Sequence, residues 1–293
     1  MTEVLLDGLV IGESARWHDG RLWCANWGTQ EILAIDADGK REVMARVDTT
    51  LPFSIDWLPD GRLLVVSGQE GLLLRQEPSG ELTVHADLSS YGGLNELVVD
   101  GRGNIYVNGG CSFTPAEGER PGFILLITPD GTVRRVADEL AFPNGMVITP
   151  DNETLVVAES FARTLTAYDV LPDGGLINRR VWAAHSGDGM CMDADGAIWT
   201  PGFTEAGPSC LRIAEGGEVL ETVPLEHFGF ACALGSRTLY ILTADWHLDD
   251  SFDANLARLL ATPTGRILTH QAPATSAGYP FSSASSSGRR RSS

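Results

Sequence analysis

The stretch FPNGMVITPDNETLVVAES, residues 142–160, contains the pattern from which the fold can be read. Asn144 beside Gly145 opens an apolar run, an Asp-Asn turn follows, and residues 154–158 form a short run rich in β-branched side chains. Such a run after such a turn is a strand-and-turn signal, because Asn, Asp and Gly tolerate turn backbone while Val and Thr suit a pleated surface. The same arrangement recurs. The first apolar residue after the turn is Leu22, Leu63, Ile105, Leu155, Ile198 and Leu239, at intervals of 41, 42, 50, 43 and 41 residues.

A second strand follows each copy and runs into a turn of its own, as in EILAIDADGK (31–40), FILLITPDGT (123–132) and ARLLATPTGR (257–266). A third, weaker strand comes next, as in EVMARV. Short strands in units of about 40 to 50 residues are what four-stranded propeller blades require. The expected fold is therefore all-β, a six-bladed β-propeller with four-stranded blades. A β-sandwich or two stacked β-domains would not produce six equal units. An open ring would leave bare strand edges, so residues 4–10, VLLDGLV, which belong to no unit, are expected to pair into the last blade and close it.

One domain, residues 1–275, follows from this closure. Two insertions, residues 109–122 and 245–254, are expected on one face, either framing an opening or as plain surface loops. Beyond Thr275 the pattern ends, and the Ser/Arg-rich residues 276–293 are expected to be a disordered tail.

Composition narrows the partners. A formal net charge of −18 opposes a nucleic-acid partner, which needs a positive surface for phosphates. No stretch approaches a membrane span, and MTEVLLDGLVIGE places acids where a secretory leader needs basic residues before an apolar core. The expectation is a cytoplasmic protein acting on a small molecule, with no membrane and no obligate protein partner. Cys24, Cys111, Cys191, Cys210 and Cys232 are dispersed without a C-x-x-C pair, which reads as small buried residues rather than a disulfide frame or zinc site.

In a propeller the innermost strands line the central channel, so the residues that begin them gather at one mouth. These positions read GESARW (12–17), PFSIDW (52–57), GLNELV (93–98), PNGMVI (143–148), GDGMCM (187–192) and GFACAL (229–234). Four units supply side-chain oxygens there: Glu13, Asn95, Asn144 and Asp188. The other two supply Phe53 with Ser54, and Phe230 with Cys232. Two carboxylates and two amides converging on one axis need a compensating partner, which a divalent cation provides. Oxygen-only donors suit calcium, whereas zinc recruits His or Cys. Turn capping is the alternative: it is the better account of one such residue, whereas four at equivalent positions favour the metal.

GESARWHDGRLW (12–23), FPNGMVITPDNETLVVAES (142–160) and GDGMCMDADGAIW (187–199) resemble motifs of the senescence marker protein (regucalcin), gluconolactonase and luciferin-regenerating enzyme family, over roughly residues 1–275. The resemblance implies a six-bladed propeller with one catalytic divalent metal in the channel, calcium first and zinc, manganese or magnesium as replacements. Its metal ligands carry over to Glu13, Asn144 and Asp188, and Asn95 matches a further channel asparagine that contacts substrate or metal. This chain departs at Gly93, where sugar-lactone members carry Arg, and at Gly187, where Pro is usual before the Asp.

The expected activity is metal-dependent hydrolysis of a lactone, with Asp188 both binding the metal and taking the proton from water. One alternative is a calcium-dependent phosphotriesterase-like hydrolase, since the same donor set resembles that of squid-type diisopropyl-fluorophosphatases. Another is a non-catalytic calcium- or ligand-binding propeller. His185, His227 and His247 are alternative bases, and His18 in its WHDG turn reads as structural. Phe53, Phe142, Phe230 and Trp27 near the motif positions point either to an apolar ligand or to packing.

Overall fold

Every repeated unit buries both faces of its sheet against its neighbours, and the ring follows from that. The computed structural model describes residues 2–110, 121–185 and 187–278, in which six four-stranded antiparallel sheets form the blades of a β-propeller. The inner strands are Gly12–His18, Ile55–Trp57, Leu94–Val99, Pro143–Ile148, Cys191–Met192 and Phe228–Gly235. In the middle of a blade there is no solvent face, so alternation gives way to uninterrupted apolar runs. Leu63–Ser67 and Gly122–Ile127 are buried at every residue, whereas the outermost strand Arg41–Arg46 is mostly exposed.

Six hydrophobic layers result, one between each pair of adjacent blades. In the layer between blades two and three, Leu64, Val66 and Leu73 meet Leu97, Val107 and Leu125. Full burial of each such side chain contributes roughly 2 kcal/mol.

The recurrent Asp-Gly turns have a specific cause. The Asp100 carboxylate accepts the backbone N–H groups of Arg102 and Asn104, both at 2.8 Å, and Gly103 completes the turn at φ 84°. Asp193 does the same for Asp195 and Ala197, with Gly196 at φ 81°. A left-handed residue at that point favours glycine.

Ring closure is as expected. Glu3–Leu9 pairs antiparallel with Gly265–Gln271 as the outermost strand of blade six, in the register Glu3↔Thr269 to Leu9↔Gly265. At the other end of the described chain, Ser276 bridges Asp193 and the Ala277 N–H donates to the Met192 carbonyl at 3.0 Å. The remaining tail, residues 279–293, lies outside the described residues, as do residues 111–120 of the first insertion. Among the described residues no helix is long and apolar enough to cross a membrane.

One expectation is overturned. Residues 257–266 are not a strand: a helix, Phe252–Ala261, continues the second insertion, and the strand begins only at Gly265. Ser251 caps the helix by accepting the Ala254 N–H at 3.2 Å, and Asn255 and Leu259, one turn apart, form its buried face. The helix packs on the turn Trp27–Thr29 of blade one.

Candidate active site

Because each inner strand runs antiparallel to the second, its beginning lies beside the second strand's end. Glu13 pairs with Ala25, Leu94 with Gly109, Pro143 with Glu159 and Phe228 with Ala244. The beginnings of the inner strands are laced together by hydrogen bonds between blades. The Ile55 N–H donates to Ser14 Oγ at 2.9 Å, Ser54 Oγ to the Asn95 carbonyl at 2.9 Å, and Asn95 Nδ2 to the Pro143 carbonyl at 3.1 Å. Ser160 Oγ then donates to the Gly187 carbonyl at 2.9 Å and the Gly189 N–H to the Phe230 carbonyl at 2.9 Å.

Four inner strands also shift register at the same place: between Glu13 and Arg16, Leu94 and Leu97, Pro143 and Met146, and Gly229 and Ala231. A bulge frees side chains from strict alternation, and so Asn95 and Glu96, consecutive in sequence, are both buried. Close approach of blades four and five depends on glycine, since a Cβ at Gly145 would run into the Asp188 carbonyl and the Gly189 Cα.

Glu13 is buried, and its carboxyl is held well above its usual range by that burial first, then by the charges of Asp188 and Glu96. Asp188 is half-buried overall, and its carboxyl is likewise raised by burial and then by Glu96. Asn144 lies near enough to favour the Asp188 anion, yet among the described residues Asp188 Oδ1 is buried with no hydrogen-bond partner. Asn144 Nδ2 also lies 3.4 Å from Ser160 Oγ. Asn95 Nδ2 is committed to Pro143, so the Asn95 side-chain oxygen is the atom left for a ligand.

Sequence reasoning missed three charged residues next to this set. Arg16 Nη2 reaches Glu96 Oε2 at 3.1 Å and the Leu97 carbonyl at 2.9 Å. Burial opposes the Arg16 charge, but Glu96, Asp56 and Glu13 together outweigh it. An arginine and a glutamate inside apolar inner-strand motifs were the available signal. Arg16 and Asp56 also line a cavity of about 150 Å³ further along the inner strands, which Ser276, Ala277 and Gly278 border.

The four histidines named from the sequence make contacts of their own. His18 stacks on Trp57 with centroids 4.0 Å apart, and His185 Nε2 lies 3.1 Å from the Gly217 carbonyl. His247 sits between Asp245 at 3.4 Å and Asp250 at 3.2 Å, with His227 3.9 Å from Asp245. The described cysteines are free, and the thiols of Cys191 and Cys232 are 3.8 Å apart.

The donor chemistry fits a hard divalent cation: oxygen atoms only, two carboxylates whose proton affinities are raised by burial and by neighbouring carboxylates, and one buried carboxylate oxygen without a partner among the described residues. Among the described residues no group of three or more His, Cys, Asp or Glu side chains has metal-binding geometry. A cation here would therefore rest on two carboxylates supplemented by amide oxygens.

A family model described as the SMP-30/Gluconolactonase/LRE-like region matches residues 11–245. The chain belongs to this family. It is 28% identical over 190 residues to diisopropyl-fluorophosphatase of Loligo vulgaris, a match covering 56% of this chain and 60% of that one. The chain thus spans less than two thirds of that enzyme's length. To a pentonolactonase of Haloferax volcanii it is 25% identical over 211 residues, covering 68% and 69%. The solved structure of regucalcin from Agrobacterium tumefaciens, a calcium-binding protein, shares the fold with a TM-score of 0.73 at 21% identity, covering 96% of this chain and 97% of that one. A pentonolactonase and a diisopropyl-fluorophosphatase are thus among the chain's relatives.

Proposed function

We propose that this family member is a metal-dependent hydrolase that opens a cyclic ester, a lactone, at the channel mouth where the inner strands begin. The observation that carries the reading is Asp188 Oδ1, a buried carboxylate oxygen without a partner whose proton affinity is raised along with that of Glu13. Glu13, Asn144 and Asp188 would hold the ion, calcium first with magnesium, manganese or zinc as replacements, and Asn95 would contact substrate or metal. Once bound, such an ion supplies Lewis-acid polarisation of the ester carbonyl and lowers the pKa of a coordinated water.

The chain's own residues do the rest. The tie from Asn95 Nδ2 to Pro143 fixes that amide, and the interstrand bonds at Ser54 and Ser160 hold the beginnings of the inner strands together. Asp188 takes the proton of the attacking water at its carboxylate. Arg16 holds Glu96 at 3.1 Å and so keeps a third carboxylate paired next to the two ion-binding ones. The formal charge of −18 agrees with a small-molecule substrate rather than nucleic acid.

The test is a lactone and ester panel on chelator-treated protein, with calcium, magnesium, manganese or zinc added back. Hydrolysis should vanish on chelation and return with at least one ion, and Asp188→Ala should lower kcat roughly 100-fold or more. Metal-independent turnover, or full activity in Asp188→Ala, would remove the reading. The match to the Loligo enzyme favours a second reading, phosphotriester hydrolysis at the same site. Relative rates on an organophosphate and a lactone decide between the two. Chelation that lowers the melting temperature while no ester turns over would instead indicate a binding propeller.

A further inference from the structure

The same mouth carries an arc of aromatic rings that the reaction itself does not need. It runs without a break from Phe203 to Phe228 at 5.3 Å, Phe230 at 4.8 Å, Trp246 at 5.5 Å, Phe252 at 5.7 Å and Trp27 at 6.3 Å between successive centroids. Phe230 and Trp27 are buried and anchor the arc in the core, while Phe203, Phe228, Trp246 and Phe252 remain half-exposed. The Phe230 carbonyl accepts the Gly189 N–H, which ties the backbone at the third ring of the arc to the residue after Asp188. On the opposite side of blade five, next to Asn144, Phe142 stacks on Phe161 at 4.5 Å, and Phe161 is 62% exposed.

Among the described residues, several polar groups beside the donors are already engaged. Ser160 Oγ is bonded to Gly187, Thr200 Oγ1 accepts the Asp188 N–H at 3.0 Å, and Trp27 Nε1 donates to the Phe53 carbonyl at 2.7 Å. His247 is held between two aspartates. At Gly93, two residues before Asn95, a side chain would meet only the Gly68 carbonyl at 3.8 Å, so the position is open and offers a ligand no side-chain donor. A substrate bearing several hydroxyls would leave them unpaired here, at roughly 1–3 kcal/mol each, whereas an apolar arm would cover half-exposed rings.

We infer that the substrate class is a lactone with an aromatic or aliphatic arm, the arm lying along Phe203, Phe228, Trp246 and Phe252, in place of a polyhydroxylated sugar lactone. This rests on the lactonase reading for the chemistry but on the ring arc for the specificity.

The experiment compares kcat/KM for a hexyl-substituted δ-lactone, unsubstituted δ-valerolactone and glucono-δ-lactone. In parallel, tryptophan fluorescence follows binding of a hexyl-substituted δ-lactam, which the enzyme does not open on the assay timescale. The hexyl lactone should exceed glucono-δ-lactone by roughly 100-fold in kcat/KM. Trp246→Ala should lower the hexyl-to-unsubstituted ratio about tenfold, chiefly through KM. Phe203→Ser, at a half-exposed position of the arc, should lower the same ratio in the same direction. Lactam binding without any lactone turnover would overturn the lactonase reading and leave the specificity standing. Equal or better turnover of glucono-δ-lactone, no lactam binding at millimolar concentration, or ratios unmoved by both variants would overturn the inference and leave lactone hydrolysis intact.

Discussion

Asp56 shows how burial and charge compete at a single side chain. It is 1% exposed and accepts the Trp57 N–H at 2.9 Å and the Val99 N–H at 2.8 Å. Burial nevertheless pushes its carboxyl up to about 6 from the ordinary 3.8, against the pull of Arg16 and of the two backbone donors. A carboxyl whose folded value is raised binds its proton more tightly in the native state. Its stabilising contribution is therefore fully present below pH 3.8 and is lost as pH rises through about 6. The loss amounts to roughly 3 kcal/mol. Glu13 and Asp188 are shifted in the same direction, so only a comparison isolates Asp56. Urea unfolding between pH 4 and 8 should give Asp56→Asn a smaller fall in stability with pH than wild type, by about 2–3 kcal/mol across the range. The variant should also start lower by roughly 1–3 kcal/mol, because one of the two backbone donors loses its acceptor. Parallel pH profiles would show that the Asp56 charge is not the source.

The helix Phe252–Ala261 depends on one buried amide. Asn255, fully buried, accepts the His247 N–H at 2.9 Å and Arg258 Nη2 at 2.6 Å through Oδ1, and donates to the His247 carbonyl at 2.9 Å through Nδ2. Asn255→Ala leaves both backbone groups of His247 without that partner and opens a small cavity, a loss of roughly 2–4 kcal/mol. Amide hydrogen exchange should accelerate across residues 245–255 while the strands of blades two to four keep their protection, and Asn255→Asp, which retains the acceptors, should fall between. Unchanged exchange in the segment would mean that the loop is held by the Trp246 and Phe252 contacts instead. This helix also marks where sequence reading stopped. Ser251 with the following F-D-A-N-L-A-R-L-L carries a capping residue and good helix formers, but the repeat register assigned the segment to a strand. The blades themselves were legible because burial on both faces writes unbroken apolar runs, such as LLVVS and GFILLI, each with an Asp-Gly turn at one end. Glu13, Asn95, Asn144 and Asp188 were legible because the repeat aligns them. Arg16, Glu96 and Asp56 were not, since their meeting depends on bulges and on contacts between blades that no single motif encodes.

The ring holds its donors only while it is closed, because Glu13, Asn95, Asn144 and Asp188 come from blades one, three, four and five and share no local element. Closure is made by the two ends of the described chain. Glu3–Leu9 completes blade six, where fully buried Leu9 and Ile267 join the layer shared with Leu22 and Leu33 of blade one, and Ser276 with Ala277 fastens the other end to blade five. Deleting residues 2–9 would bare the edge of Gly265–Gln271 and open the layer above Leu22, with consequences for both stability and association. Truncating Leu9 alone should cost about 2–5 kcal/mol, which for a chain of this size lowers the Tm by roughly 4–20 °C. The deletion should lower it further and add a concentration-dependent, higher-mass species in size-exclusion chromatography. If the donors are held by the ring as a whole, activity in Leu9→Ala should fall with temperature along the same curve as the loss of strand signal in circular dichroism. A deletion protein that melted within about 2 °C of the full chain and stayed monomeric would show that blade six is closed well enough by its own three strands. Activity lost well below the unfolding transition would show that the mouth yields before the ring does, and would put the weak point in the interstrand bonds at Ser54 and Ser160.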